Sequence, residues 1–113
     1  MLGIHKWQVY LANLEPRRGV EPGKVRPVVV VQTDLLNGIH PSTVICPLTT
    51  KVRPQARFLR VHLAKGEAGL RERSDVMVDQ IRAIDNRRFL QPLGKLSTRS
   101  RKRLAENLRI LLS

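Results

Sequence analysis

Val25-Arg26-Pro27-Val28-Val29-Val30-Val31-Gln32 is the stretch that decides how this chain folds. Residues 28–32 are apolar on both faces of an extended backbone, and β-branched side chains are stiff in a way that suits strands, so the run predicts a central, doubly covered β-strand. Pro27 has no N–H to give a ladder and is tolerable only at the start of such a strand. Arg26, standing before a proline, is biased to extended backbone, which fixes the direction in which its side chain leaves the strand mouth. A rigid buried strand with a guanidinium at its mouth can hold a phosphate-binding cation in one place.

Upstream, residues 15–24 contain two prolines, two glycines and the basic residues Arg17, Arg18 and Lys24. They predict a long loop, and a loop of this length in a small protein is a functional candidate. Before it, residues 7–14 alternate well enough to predict a first strand. Downstream, 33–38 predict a turn around Asn37-Gly38, 43–48 a third strand, 49–57 a basic connection, 58–63 a fourth strand and 76–80 a short fifth. Many short strands separated by close turns predict a small β-barrel. The tail differs: from Ser97 onward Leu104, Leu108 and Leu111 recur at helical spacing, with Ala105 and Leu112 widening the apolar face and Ser97 or Thr98 as N-cap. Arg99, Arg101, Lys102 and Arg103 crowd the first turns of this helix, where its dipole disfavours cations, so an acidic partner would relieve them.

The chain has 113 residues and a formal net charge of +12. That length fits one domain over 1–113, with about two-thirds of its unfolded surface buried. The charge is carried mostly by arginine, whose planar forks suit phosphates and stacked bases, and predicts a polyanionic partner. General arginine preference is the plainer reading. Cys46 is the sole cysteine. It excludes an intrachain disulfide and a cysteine-ligated zinc cluster, and its neighbours Val44 and Ile45 predict a buried small hydrophobe. No apolar segment resembles a secretion signal or approaches membrane-spanning length, so the expected setting is cytoplasmic, without membrane association.

Metal-free cleavage of RNA needs a group to deprotonate a 2′-hydroxyl, positive charge at phosphorus and a proton for the departing 5′-oxygen. His5, His40 and His62 stand in separate segments without metal-ligand spacing and are expected to be structural. What remains is arginine with small polar groups. Arg26 by itself reads as a structural ion-pairing arginine or as a phosphate ligand, and Thr49 and Thr50 as ordinary strand-end threonines or as substrate contacts. Glu21, an acid among basic loop residues, is a proton acceptor or a local salt-bridge partner. Asp79-Gln80-Ile81-Arg82-Ala83-Ile84-Asp85 reads as a turn in which Arg82 pairs with Asp85, or as part of a site.

Taken in order, these segments resemble the MazF/PemK family of toxin endoribonucleases. The resemblance rests on Val9-Tyr10-Leu11-Ala12-Asn13-Leu14-Glu15-Pro16, Gly19-Val20-Glu21, Arg26 to Gln32 with Asp34 and Asn37, Cys46-Pro47-Leu48-Thr49-Thr50 and the segment from Asp79 to Asp85. It implies a mainly β fold with a C-terminal helix, a small SH3-like, plug-type barrel shared with MazF, PemK and CcdB, and a homodimer. It also implies a toxin that needs no cofactor or metal, cuts single-stranded RNA at short motifs and is neutralised by a cognate acidic, MazE-like antitoxin. Carried over by position, Arg26 stabilises the phosphorane-like charge and donates a proton, Thr49 orients the scissile phosphate and Glu21 helps activate the 2′-hydroxyl. Asp79 and Gln80 line the RNA groove. Arg17, Arg18, Lys24, Thr50, Arg53 and Arg57 are candidate RNA contacts. Two departures stand out: Lys6-Trp7-Gln8 replaces the Arg-Gly-acid opening of relatives, and Val20 and Met77 occupy the places where PemK-branch members carry a histidine and an arginine. The arginine–threonine arrangement therefore fits this chain better. The competing function is a non-catalytic RNA-binding barrel or a gyrase-targeting toxin of the same fold, neither of which needs Thr49.

Overall fold

Val28, Val29 and Val30 are all wholly buried, and they are buried on two different sides. Val29 joins a core with Val9, Cys46, Leu48, Val76, Leu96 and Leu104, whereas Val28 and Val30 join another with Tyr10, Leu14, Ile45, Ile84 and Phe89. Successive strand residues point to opposite faces, so only an apolar run without alternation can serve both cores.

The computed structural model describes residues 3–15, 19 and 24–113. Around the valine strand, β2 (Val25–Val30), it places β1 (Gln8–Asn13), β3 (Ser42–Thr49), β4 (Arg60–Leu63), β5 (Ser74–Met77), β6 (Arg82–Asp85), β7 (Phe89–Lys95) and one helix, α1 (Thr98–Leu112). The sheet runs β4-β5-β3-β2-β1-β7, with β6 also paired to β3, and every pairing is antiparallel. The mainly β fold with a C-terminal helix is as expected, although the sheet curls without closing, so the barrel is approximate. Between its ends the 3-10 turn Glu67–Gly69 packs on β7, and there is no room for a side chain there: a Cβ on Gly94 would lie 2.7 Å from the carbonyl carbon of Ala68.

β3 has a divided edge. It pairs with β6 from Ser42 to Ile45 and with β5 at Leu48 and Thr49. Cys46 and Pro47 fall in the gap, where the 3-10 turn Val78–Gln80 passes. A proline inside a strand is tolerated where one ladder side is vacant. Pro27 obeys the same rule from within β2: it pairs with Leu11 of β1, and pairing with β3 begins only at Val28.

The sheet corrects several expected boundaries. β2 starts at Val25, before the proline, and ends at Val30, beyond which Gln32 turns its amide onto the backbone N–H of Val44 and onto Asn37. β4 begins only at Arg60, after Leu59 takes a left-handed φ of 66°. The expected fifth strand divides into β5 and the 3-10 turn. β6 and β7 were not anticipated, because charged and half-exposed residues interrupt their apolar pattern.

In α1 the Ser97 hydroxyl accepts from the Ser100 N–H, Leu104 is buried, and Leu108 and Leu111 pack against the first core. Leu112 is exposed rather than part of the apolar face. Among the described residues no helix is long and apolar enough to cross a membrane.

Candidate active site at the mouth of the valine strand

The register of β2 on β3 sets Val28 against Pro47 and Val30 against Ile45. Arg26 and Thr49 each lie two residues beyond the Val28 and Pro47 pair, at the ends of neighbouring strands. Strand alternation then turns both side chains to the face of the second core, since Arg26 shares the parity of Val28 and Val30, and Thr49 that of Ile45. Arg26 is half-buried, and its Nη1 donates to the carbonyl oxygen of Leu48 at 3.2 Å. Thr49, also half-buried, accepts at Oγ1 from the N–H of Lys51 at 3.1 Å. A guanidinium and a hydroxyl thus stand side by side at adjacent strand ends, a pairing suited to holding one phosphate by charge and by hydrogen bond.

On its other flank Thr49 pairs with Asp75 of β5. Asp75 is wholly buried and accepts from the N–H of Arg53 at 2.8 Å, from Nη1 of Arg60 at 3.1 Å and from Nδ1 of His62 at 2.6 Å. Burial alone would raise its pKa, but the Arg53 N–H, His62 and Arg60 outweigh it and hold the carboxyl below its ordinary 3.8. This cluster was not singled out in the sequence. Its signal was present: Arg60 and His62 alternate with Val61 and Leu63, which places both basic groups on one strand face.

The remaining candidates are dispersed. Thr50 lines a cleft of about 340 Å3 shared with Pro27, Arg71 and Gln91. Arg53 and Arg57 are exposed on the connection after β3, and Lys24 is exposed at the entrance to β2 with its carbonyl accepting from the Leu14 N–H at 2.9 Å. Asp79 and Gln80 lie on the 3-10 turn that fills the gap beside Cys46, nearer the middle of β3 than Thr49. Burial first, and then the charge of Asp79, push the Cys46 thiol up to about 12, consistent with an inert core residue. Arg17, Arg18 and Glu21 lie outside the described residues.

The turn expected between Arg82 and Asp85 does not form. Both lie on β6, three residues apart and so on opposite faces, and Asp85 instead pairs with Arg87, whose Nη2 is 2.9 Å away. Arg82 sits on the second-core face with Ile84, and its buried Nη1 has no hydrogen-bond partner. Of the histidines, His5 and His40 are exposed, while His62 belongs to the Asp75 cluster.

Solved structures share this architecture. MazF from Deinococcus radiodurans is 25% identical with a TM-score of 0.82, the match covering 99% of this chain and 98% of that one. The Mycobacterium tuberculosis toxin MazF-mt6 is 23% identical with a TM-score of 0.77 over 93% and 95% of the two chains. A mycobacterial endoribonuclease in complex with its cognate antitoxin is 18% identical with a TM-score of 0.76 over 99% and 95%. At the level of sequence, the profile of the PemK-like, MazF-like toxins of type II toxin–antitoxin systems matches residues 5–112. With the match running almost end to end, this chain belongs to the PemK/MazF toxin family.

Proposed function

We propose that this protein is an endoribonuclease toxin that cleaves single-stranded RNA at short sequence motifs by attack of a 2′-hydroxyl on the adjacent phosphorus. The observation that carries the reading is that Arg26 reaches the Leu48 carbonyl, next to Thr49 at the end of β3, beside an exposed basic connection. In the reaction the P–O2′ bond forms and the P–O5′ bond breaks. Glu21 takes the 2′-hydroxyl proton, Thr49 orients the phosphate, and Arg26 faces the charge gathering on the non-bridging oxygens and supplies the proton to the departing 5′-oxygen, regaining it from water. The products are a 2′,3′-cyclic phosphate and a 5′-hydroxyl. Arg26 supplies the positive charge at phosphorus, so the scheme calls for no metal.

Lys24 and Arg53, with Arg17 and Arg18, contact the RNA backbone, while Thr50, Asp79 and Gln80 line the flanking surface. Two copies pair, and an acidic antitoxin neutralises the toxin; the antitoxin complex of the mycobacterial relative supports that partner. The deciding experiment incubates purified protein with a long single-stranded transcript in EDTA and maps new 5′ ends by sequencing. Cleavage at a recurrent motif, abolished in Arg26→Ala and Thr49→Ala, is the expected result. Binding without cleavage, equal in wild type and Thr49→Ala, would replace the enzyme with an RNA-binding barrel.

A further inference from the structure

Residues 50–59, which follow Thr49 and carry Thr50, Lys51 and Arg53, contain no strand or helix. A segment of this kind would ordinarily sample many shapes. Here three of the hydrogen bonds that fasten it lead to one carboxylate. The carbonyl of Lys51 accepts from Arg60 Nη1 at 3.2 Å, the N–H of Arg53 donates to Asp75 Oδ2 at 2.8 Å, and the carbonyl of Ala56 lies 3.1 Å from His62 Nε2. Arg60 and His62 are themselves held by Asp75, through Oδ2 at 3.1 Å and Oδ1 at 2.6 Å.

The histidine adds a protonation requirement. Both of its ring nitrogens face oxygen acceptors, one a carboxylate and the other a carbonyl. A neutral imidazole donates through one nitrogen only, so both contacts exist as hydrogen bonds only when the ring carries two protons. The charged groups around it are Arg60 on its own strand, Asp75 on β5, Arg53 in the segment, Glu67 and Arg73 between β4 and β5, and Arg99 and Arg103 on α1. His62 lines a cleft of about 440 Å3 with the last four of these.

We infer that Asp75, Arg60 and His62 are positioning residues: a buried clamp that holds residues 51–56 in one shape and sets the register in which Thr50, Lys51 and Arg53 meet a bound RNA strand. The inference deepens the reading of this face as an RNA site and rests on it.

The test compares wild type, His62→Gln and Arg60→Gln across about pH 5 to 8, where imidazoles change charge. Without RNA, hydrogen exchange at the Arg53 amide, corrected for intrinsic rate, reports the clamp, and protection of the α1 amides reports that each variant is folded. With RNA, KM and kcat are measured separately. Arg53 protection is expected to be high in wild type and low in His62→Gln and Arg60→Gln. KM is expected to rise about tenfold in either variant, as for one lost charge-assisted hydrogen bond, while kcat stays within about twofold. Equal Arg53 protection in all three folded proteins at every pH overturns the clamp. Loosening of the segment in the variants, beside a wild type that cuts no RNA, leaves the clamp standing and removes the RNA reading instead.

Discussion

Thr49 stands between two charged groups that the fold treats in opposite ways. On the β5 side, Asp75 is wholly buried, with donors on both of its oxygens. On the β2 side, Arg26 is only half-buried and rests a nitrogen on the Leu48 carbonyl. A buried carboxylate with its acceptors filled organises structure, because losing any donor strands a charge away from water. A half-exposed guanidinium at a strand mouth can reach an incoming anion. Two residues flanking one threonine can therefore divide the work, one shaping the site and the other acting in it.

Substitution of Arg26 tests this contrast with the largest expected effect. Arg26→Ala should lower the rate of RNA cleavage about 10²- to 10³-fold, as removal of one group that stabilises transition-state charge typically does, while the urea midpoint barely moves. A large loss of stability in that variant would make Arg26 a structural residue like Asp75 and erase the distinction. The next effect is on stability: Asp75→Asn should cost about 3 kcal/mol in denaturant unfolding, because Arg60 and His62 lose their charged partner in a buried place. An unchanged midpoint would show that the cluster does not organise the fold.

Acid sharpens the same comparison. The Asp75 carboxyl is held below its ordinary 3.8, so its contribution is fully present above that value and is lost as pH falls through it. As pH falls below about 4, wild type should therefore lose stability more steeply than Asp75→Asn, as read by urea melts at each pH. Parallel curves would remove Asp75 from the account of acid stability. The smallest effect concerns Cys46, next to the divided edge of β3. With its thiol pushed up to about 12, it should resist a neutral-pH disulfide reagent in the native state and react once urea unfolds the chain. Prompt labelling of the folded protein would show that the edge opens.

Much of the fold was legible in the sequence because its strongest signals are local. The valine run, Pro27 before it, the Asn37-Gly38 turn and the leucine spacing in the tail each follow from backbone preference or from the period of one element. β6 and β7 were not legible, since Arg82, Asp85 and the exposed Leu90 and Gln91 break any apolar alternation. The Asp75 cluster escaped for a different reason. Its members come from β4, β5 and the connection after β3, and in sequence Asp75 is merely an acid beside a serine. The Arg26 and Thr49 assignments came from the order of motifs, which neither residue could have supplied alone.

The sequence by itself determined that the protein is a basic, mainly β chain with one terminal helix, a buried central strand and an arginine at its mouth. These follow from side-chain period, proline restriction and net charge, all readable along the chain. Only the tertiary structure decided that Arg26 reaches the Leu48 carbonyl beside Thr49, and that Asp75 gathers Arg60, His62 and the backbone of Arg53. Those relations depend on strand register and on which strands become neighbours, and a shift of one residue would turn each side chain to the other face.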